Sequence, residues 1–135
     1  MRLENRVAIV TGGGGGLGEG ICRCFAREGA SLAVSDVDED LAEKVAATLR
    51  DNGAQAIALR TDVRSYSDCQ ALVAGTLEAF GRLDVLVCAA GVFGRRFRED
   101  PDQPAGIENL PEEDWDLTID VNLKGVYLCN RAVLA

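Results

Sequence analysis

The sequence contains no histidine. Imidazole general bases, histidine-containing catalytic triads and histidine-ligated metal sites are therefore excluded for this chain. The five cysteines, at positions 22, 24, 69, 88 and 129, are odd in number and include no C-x-x-C pair, so they do not indicate a disulfide framework. Cys22 and Cys24 would point to different sides of a helix, which disfavours a shared metal. We expect reduced, mostly buried thiols, as in a cytoplasmic protein, and no metal site.

The sequence also lacks a long apolar run. No stretch is long enough to cross a bilayer, and the first residues enter a short apolar strand without the pattern of a signal peptide. The net charge is −8, with acidic and basic residues interspersed along the chain. This charge argues against nucleic acid and anionic membranes as partners. We therefore expect a cytoplasmic protein with neither partner, while an anionic small ligand could still bind to backbone N–H groups.

Short apolar runs alternate with amphipathic segments along the chain. The pattern predicts strands at 7–10, 31–36, 54–62 and 83–91, with helices at 17–29, 39–50 and 66–80 between them. A last helix begins near Pro111, and its apolar stripe is predicted to contain Trp115, Ile119, Asn122, Val126, Cys129 and Val133. Strands and helices in alternation are typical of βαβ units, so the fold class is α/β with a parallel sheet.

Five consecutive glycines at 12–16 follow the first predicted strand. Such a run is usually a flexible linker, but a hinge between a buried strand and its helix would let the two drift apart. Each interior glycine costs about 0.5–1 kcal/mol in chain entropy relative to alanine. That cost is tolerated where the backbone must approach a ligand whose phosphate lies at a helix N-terminus. The run therefore predicts dinucleotide binding.

Five landmarks in order resemble the short-chain dehydrogenase/reductase family over the whole chain. They are T-G-x-x-x-G-[IL]-G at 11–18, Asp36, Asp62 with Val63, Ala90 with Gly91, and DVNLKGVYL at 120–128. The resemblance implies a Rossmann-type, doubly wound parallel sheet of strand order 3-2-1-4 with flanking helices. It also implies an NAD-dependent oxidoreductase that transfers a hydride between an alcohol or ketone substrate and nicotinamide. A homo-oligomer, dimer or tetramer, is implied as well.

The resemblance also assigns roles to particular residues. Those implied to hold the cofactor are Gly12, Gly14, Gly15, Gly16 and Leu17 at the pyrophosphate, Gly18 for close helix packing, Asp36 and Val37 at the adenosine ribose, Asp62 and Val63 at the adenine, and Cys88, Ala89, Ala90 and Gly91 on the nicotinamide side. Asn122 is implied to kink its helix and help hold a water in a proton relay. Three structural alternatives stay open: Asp36 as a solvated strand end, Asp62 as the N-cap of the next helix, and Asn122 as a hydrogen-bonded structural amide.

Three details narrow or qualify the resemblance. Asp36 would repel a 2′-phosphate, and no arginine lies beside it in sequence, so NAD is predicted over NADP. Glycine at all of positions 13–15 predicts a loop that is unusually mobile when empty. Cys88 and Ala89 stand where the family usually has two asparagines, whose side chains are thought to brace the sheet. Cys88 itself is expected to be unreactive, because the strand end looks buried and has no cationic neighbour.

The family's catalytic serine and Y-x-x-x-K pair do not occur in this sequence. Tyr66 is followed four residues later by Gln70, and Tyr127, predicted to be a packing residue, is followed by Arg131. Residues 1–135 are therefore predicted to be an incomplete NAD-binding domain, cut from a longer enzyme, with an apolar edge strand and no activity of its own. The alternative is a non-catalytic NAD-binding half-domain that acts as a sensor or interaction module.

The segment from Val92 to Leu110 contains three arginines, followed by acidic residues. Arg95, Arg96 and Arg98 are predicted to lie in a solvated loop. Recruitment of an anionic substrate is the alternative, because the resemblance places this segment beside the substrate entrance.

Overall fold

A computed structural model describes residues 1–93 and 106–135, so Arg95, Arg96 and Arg98 lie outside the described residues. In chain order, the elements are β1 (Val7–Thr11), α1 (Gly16–Arg27), β2 (Ser31–Asp36), α2 (Glu39–Asp51), β3 (Ala56–Arg60), α3 (Tyr66–Phe80), β4 (Val85–Cys88), a 3-10 turn (Ile107–Asn109), α4 (Glu112–Ile119), a π-helical turn (Asp120–Lys124) and α5 (Gly125–Leu134). Every predicted strand and helix is present. The third and fourth strands are shorter than predicted, at five and four residues.

The four strands form one parallel sheet in the order β3-β2-β1-β4. Ile9, at the middle of β1, pairs with Ala33 of β2 and with Leu86 of β4. Strands β1 and β2 are near-continuous runs of small and β-branched apolar residues, which fits strands covered on both faces. The predicted fold class and strand order are confirmed.

Alternating residues of each strand enter different layers of the core. Ala8, Val10, Leu32 and Val34 belong to a cluster that includes the inward faces of α1 and α2. Ile9 and Ala33 point to the opposite face, where α3 packs. Beyond α3 on that face lies α5, whose buried residues join the start of α3 and the end of β4. The sheet thus lies between two helical layers, as the predicted architecture requires.

The helices that follow β1, β2 and β3 start in different ways. The Asp38 side chain caps α2 by accepting from the Leu41 N–H at 3.2 Å. Ser65 caps α3 by accepting from the Asp68 N–H at 3.2 Å. The N-cap position of α1 is Gly15, so no side chain caps this helix. Helix α1 is therefore the one whose first-turn N–H groups lack a side-chain acceptor, since a helix leaves its first four donors without intrahelical partners.

The last helical segment departs from its predicted stripe. Trp115 is 53% exposed and Val126 is 38% exposed, although both were predicted on the buried face. The buried residues after the π-helical turn are Gly125, Leu128, Cys129 and Ala132. A π-helical turn adds a residue to the local repeat, so one stripe of period 3.6 cannot continue through it. Tyr127, predicted to pack, is also exposed among the described residues.

Asp84 joins the beginnings of β1 and β4. Its Oδ2 accepts from the Val7 N–H at 2.9 Å and from Arg82 Nε at 2.8 Å, and its Oδ1 accepts from Arg6 Nη1 at 3.2 Å. The Arg82 guanidinium, followed by the Val7 N–H, holds the pKa of the Asp84 carboxyl well below its usual range. This carboxylate fixes the end of the sheet opposite the glycine loop. None of the helices in the described part of the chain has the length and apolar composition that crossing a bilayer requires.

Candidate cofactor-binding site

The glycine loop is packed tightly in its first half. Gly12 has φ of +63°, and a Cβ there would lie 2.7 Å from Ala90 Cα. The Gly13 N–H donates to the Ser35 carbonyl at 2.8 Å, and the Gly14 N–H donates to Asp36 Oδ2 at 3.0 Å. These bonds anchor the first half of the loop to the end of β2. The predicted mobility of the empty loop stays a prediction, and these anchors limit where it can apply.

Packing explains why glycine occupies positions 12, 13, 14 and 18. A Cβ at Gly14 would lie 2.8 Å from Asp36 Oδ2, and one at Gly13 would lie 2.9 Å from Val34 Cγ1. A Cβ at Gly18 would collide with the Gly12 carbonyl, so α1 and the loop touch backbone to backbone, as expected for Gly18. Gly13 was not among the candidate residues, because nothing in a run of five glycines marks one member as more crowded than the rest.

The second half of the loop is open. No heavy atom lies within 4 Å of a Cβ built on Gly15 or Gly16. Leu17, the second residue of α1, is 85% exposed. Together with the absent N-cap side chain, this leaves the N-terminus of α1 facing open space with backbone N–H groups. Such an arrangement suits an anion, because N–H groups and the helix dipole both favour negative charge.

Thr11 links the glycine loop to the end of β4, a role that the sequence did not indicate. Its side chain is 1% exposed, and its Oγ1 accepts from the Ala90 N–H at 3.3 Å. The same hydroxyl donates to the Val87 carbonyl at 3.5 Å. In the sequence, Thr11 was only the first position of the glycine motif. The structure shows that it holds the two strand ends in register where Gly12 crosses Ala90.

Asp36 is fixed by two backbone donors. Its Oδ2 accepts from Gly14, and its Oδ1 accepts from the Asp38 N–H at 3.0 Å. A freely solvated strand end, the alternative interpretation, would not be held in this way. A carboxylate offers about four lone-pair positions, so two acceptor positions are left for a ligand. Val37 follows Asp36 and is exposed beside it.

The structure places an arginine opposite Asp36 that sequence adjacency could not reveal. Arg60 is the register partner of Asp36 across β2 and β3. Its Nη1 lies 3.3 Å from Asp68 Oδ2, so its guanidinium forms an ion pair with α3 rather than with Asp36. The prediction that no arginine lies beside Asp36 in sequence is unchanged, but the strand pairing brings the backbone of Arg60 next to it.

Asp62 is held by a neighbouring arginine. Arg64 Nε lies 2.9 Å from Asp62 Oδ1, and Arg64 Nη2 lies 2.7 Å from Asp62 Oδ2. This hydrogen-bonded pair lowers the pKa of the Asp62 carboxyl, so it stays ionised. The alternative that Asp62 caps the next helix is wrong, because Ser65 occupies that position.

Val63 is only 6% exposed and lies beneath the last helix. A Cβ built on Gly125 would be 2.7 Å from Val63 Cγ2, so the absence of a side chain at Gly125 allows this packing. Most of the Val63 surface is thus used inside the protein. A ligand ring could contact only its remaining edge.

Asn122 lies beside the end of β4, within the π-helical turn. Its Oδ1 accepts from the Val92 N–H at 2.8 Å, and its Nδ2 donates to the Val92 carbonyl at 2.9 Å. The prediction of a buried position in an apolar stripe is wrong, since Asn122 is exposed. Both polar atoms of the amide are thus hydrogen-bonded, and the predicted distortion of the helix is present as the π-helical turn. The role in a proton relay stays a prediction.

The candidate residues meet along the carboxyl edge of the sheet. Ala89, Ala90 and Gly91 follow β4 and lie next to Gly12 and Asn122, while Cys88 points to the face covered by α3 and α5. In doubly wound sheets, ligands bind at the carboxyl ends of the strands, at the point where the connecting helices change from one face of the sheet to the other. That point is β1 here, because α1 and α2 cover one face and α3 covers the other. The structure therefore brings together the glycines, Asp36 and residues 89–91, with Asp62 at one side.

Comparisons with known proteins identify the family. A family model described as short chain dehydrogenase matches residues 6–135, and the chain belongs to this family. The chain is 37% identical to a (2S)-[(R)-hydroxy(phenyl)methyl]succinyl-CoA dehydrogenase subunit, BbsD, of Thauera aromatica, over 98% of this chain and 50% of that relative. The chain spans about half the length of the curated relatives it matches.

Two solved structures share the fold. A short-chain dehydrogenase/reductase from Burkholderia phymatum, in complex with NAD, superposes with a TM-score of 0.87 at 32% identity, over 98% of this chain and 44% of that one. A 3-ketoacyl-(acyl-carrier-protein) reductase from Brucella melitensis, complexed with NADH, gives a TM-score of 0.84 at 36% identity, over 96% of this chain and 49% of that one.

Proposed function

We propose that residues 1–135 form the NAD-binding half of a short-chain dehydrogenase/reductase that interconverts an alcohol and a ketone. The observation that carries this proposal is the start of α1, where no side-chain cap is present beside an open pair of glycines. The relatives are oxidoreductases, and the two similar solved structures contain NAD or NADH. Family membership and the site geometry thus support the same cofactor.

The pyrophosphate would lie at the N-terminus of α1. Backbone N–H groups of Gly15, Gly16 and Leu17 would face it, with Gly12 and Gly14 forming the turn that keeps β1 and α1 close. The Leu17 side chain is exposed, so its contribution would come from the backbone N–H. The residues present fit the group, because the crowded glycines shape the turn while the open ones leave room for phosphate oxygens.

Asp36 would select NAD over NADP. Its two bonds from backbone N–H groups orient the carboxylate toward the loop, and its free acceptor positions suit the two hydroxyls of the adenosine ribose. A 2′-phosphate there would meet a negative charge. Arg60 could offset that charge only by leaving Asp68, its ion-pair partner.

The remaining contacts follow the edge of the sheet. Asp62 would accept from the exocyclic amine of adenine while Arg64 holds its carboxylate in place. Cys88, Ala89, Ala90 and Gly91 would border the nicotinamide side, where small residues leave space for a ribose. Nicotinamide, when bound, supplies the acceptor or donor of the hydride. Asn122 would fix the chain at Val92, and a water held nearby would take part in proton transfer.

NADH and NADPH titrations of the complete polypeptide that carries this chain test the proposal. Nicotinamide fluorescence or calorimetry should give NADH a dissociation constant at least about tenfold lower, because hydrogen bonds to a charged group contribute about 1.5–3 kcal/mol. Equal affinities, or tighter binding of NADPH, would contradict the assignment of Asp36.

A hydride-transfer assay separates the enzyme from a non-catalytic NAD-binding module. Secondary alcohols with NAD, and the matching ketones with NADH, would be monitored through the nicotinamide absorbance. Turnover supports the oxidoreductase. Tight NADH binding with no turnover across a broad panel supports the module, and residues 1–135 by themselves are expected to bind without turnover.

We also propose that the complete protein is a cytoplasmic homo-oligomer. Exposed apolar side chains on the last helical segment, including Trp115, Leu123 and Tyr127, offer surface that a second copy could cover. Light scattering of the complete polypeptide tests the assembly, and a monomeric mass at micromolar concentration would contradict it.

A further inference from the structure

Two buried thiols are in contact between α3 and α5. Cys69 lies in the first turns of α3, and Cys129 lies in the middle of α5. Their Sγ atoms are 3.7 Å apart, and the two residues are 1% and 2% exposed. Both thiols are free, and 60 positions separate them in sequence. The contact therefore results from helix packing and not from chain proximity.

The packing around the two thiols is close. Cys69 Sγ lies 3.7 Å from the Val63 carbonyl oxygen, and a Cβ built on Gly125, the first residue of α5, would lie 2.7 Å from Val63 Cγ2. The Arg131 guanidinium lies over the Tyr66 ring, 4.3 Å from its centroid, and joins the same two helices. Contacts near both ends of α5 thus hold this helix against the start of α3 and keep the two sulfurs beside each other.

A disulfide between these thiols needs only a small movement. An S–S bond is about 2.0 Å long, so sulfurs that are 3.7 Å apart have to approach by about 1.7 Å. Rotation of the two side chains about their Cα–Cβ bonds moves the sulfurs over distances of this size. The helices themselves can therefore keep their positions while the bond forms.

We infer that Cys69 and Cys129 form a peroxide-sensitive pair, which closes reversibly to a disulfide between α3 and α5. Contact selects this pairing, because whichever of the two thiols is oxidised first has the other beside it. Cys88 packs in the same cluster and is more exposed, but the described sulfur–sulfur contact joins Cys129 to Cys69. Cys88 is therefore expected to stay a free thiol.

Burial sets the conditions of the reaction. Exposures of 1% and 2% keep bulky reagents away from the two sulfurs, so the oxidant has to be small or to enter during local opening of the helices. Hydrogen peroxide meets the first requirement. The same burial limits the access of a second peroxide to the first oxidation product while the neighbouring thiol is already in contact, which favours the disulfide over irreversible oxidation.

The reaction balances with hydrogen peroxide as the oxidant. One thiol of the pair loses its proton, its sulfur attacks a peroxide oxygen, and the O–O bond breaks. The hydroxide that leaves takes up that proton and becomes water. The second sulfur then attacks the sulfenic acid sulfur, the S–O bond breaks, and the departing hydroxide takes the second thiol proton as another water. Two thiols are oxidised to one disulfide, and one peroxide is reduced to two waters.

The other cysteines separate the effect of contact from the effects of burial and exposure. Cys22 is 0% exposed but belongs to the core cluster on the opposite face of the sheet. Cys24 is exposed on α1. Trypsin, which cleaves after lysine and arginine, places each of the five cysteines on its own peptide: residues 7–23, 24–27, 65–82, 83–95 and 125–131. The masses of linked peptides therefore identify any disulfide among them.

The experiment treats the reduced, complete polypeptide with a small excess of hydrogen peroxide, alkylates the remaining thiols in urea and digests without reductant. The expected result is a link between peptides 65–82 and 125–131, which separates when dithiothreitol is added, while Cys22 is recovered in alkylated form. Absence of this link, or a link that joins Cys69 or Cys129 to another cysteine instead, would overturn the inference.

Oxidation in urea shows whether packing causes the pairing. In an unfolded chain, loop-closure entropy favours thiols that are close in sequence, so the share of the Cys69–Cys129 link should fall at least about fivefold. An equal share in the folded and unfolded protein would show that helix packing does not select the pair.

Stability provides a second readout. The disulfide would join positions 60 apart, so peroxide should raise the urea midpoint of the wild type, and dithiothreitol should restore the original value. Cys69→Ala should lose both the link and this shift, whereas Cys24→Ala should keep both. A midpoint that falls on oxidation, or a rise that persists in Cys69→Ala, would contradict the inference. The wild-type digest requires no variant to fold, and neither readout depends on cofactor binding.

Discussion

The two sides of β1 differ in how completely the chain surrounds them. On one side, β2 is almost fully buried, and the first half of the glycine loop packs closely against Asp36 and Gly18. On the other side, every residue of β4 is only partly buried, and the helical segment beyond it exposes Trp115 and Tyr127. Among residues 1–93 and 106–135, β4 pairs with β1 alone.

The difference teaches which half of a dinucleotide site this chain can build by itself. In the proposed site, the adenosine and pyrophosphate would be surrounded by β1, β2 and their loops. The nicotinamide would be bordered, among the described residues, by the end of β4 and by Asn122. The chain spans about half the length of its curated relatives, so the less buried side of β1 is the side on which we expect further contacts in a complete protein. Four variants test this contrast.

Gly18→Ala should have the largest effect, because Gly18 lies where α1 packs directly against the backbone of the glycine loop. The added methyl would collide with the Gly12 carbonyl, which is backbone and cannot rotate away. We expect a loss of about 3 kcal/mol or more in the free energy of unfolding, with loss of NADH binding. Urea unfolding and NADH titration measure the two effects.

Gly20→Ala is the matched control, since Gly20 lies in the same helix and no heavy atom lies within 4 Å of its added Cβ. It should bind NADH normally and be more stable by up to about 1 kcal/mol, because alanine favours helix. Equal effects of the two substitutions would remove the packing argument.

Asp36→Asn should weaken NADH binding by about 10- to 100-fold, since the hydrogen bonds to the ribose would no longer be made to a charged group. NADPH affinity should change less or improve, because the repulsive charge is gone. Asp38→Asn is the control: asparagine caps a helix as well as aspartate does, so its NADH affinity should match wild type. A parallel loss in both variants would point to the stability of α2 instead of ribose recognition.

Gly125→Ala should reduce the free energy of unfolding by about 1–3 kcal/mol, because its methyl would press on Val63 Cγ2. This contact lies on the less buried side, beyond β4. Here the obstacle is a side chain, so Val63→Ala should relieve it. The double variant should lose less stability than the sum of the single losses, by about 0.5–3 kcal/mol. Strict additivity in urea unfolding would show that the two residues do not press on each other.

Asp84→Asn should produce a smaller, pH-dependent loss at the end of the sheet where β1 meets β4. The folded-state pKa of Asp84 is depressed below its unfolded value of about 4, so its contribution is present above that pH and is lost as pH falls through the folded pKa. The stability difference from wild type should therefore be largest near neutral pH and shrink below about pH 4.

Asp51→Asn, at an exposed position at the end of α2, is the control for the replacement of aspartate by asparagine itself. Unfolding followed across this pH range provides the test. A difference between Asp84→Asn and wild type that grows as pH falls would reverse the assigned sign.

The predictable part of this protein is local. Apolar runs gave the strands, because strands buried on both faces need little else, and Asn52 with Gly53 marked the end of α2. The glycine motif is sufficient to locate the candidate site, since a strand, a bare loop and a helix must follow one another closely in sequence. Asp36 could be found the same way, as the last residue of the second strand.

The remaining features depend on residues that are distant in sequence. Arg60 opposite Asp36, the Thr11 bond to Ala90 and the Asn122 bridge to Val92 all join elements that only strand order and helix packing bring together. The buried face after residue 124 could not be read from a period of 3.6, because the π-helical turn changes the repeat. The contact of Cys129 with Cys69 likewise spans 60 positions.

The sequence by itself determined the order of strands and helices and the place of the bare loop, because backbone preference and apolar pattern act over a few residues. The tertiary structure alone decided which glycines are crowded, which carboxylates have partners and which thiols touch. Those properties depend on distances of a few ångströms between segments that chain connectivity does not fix.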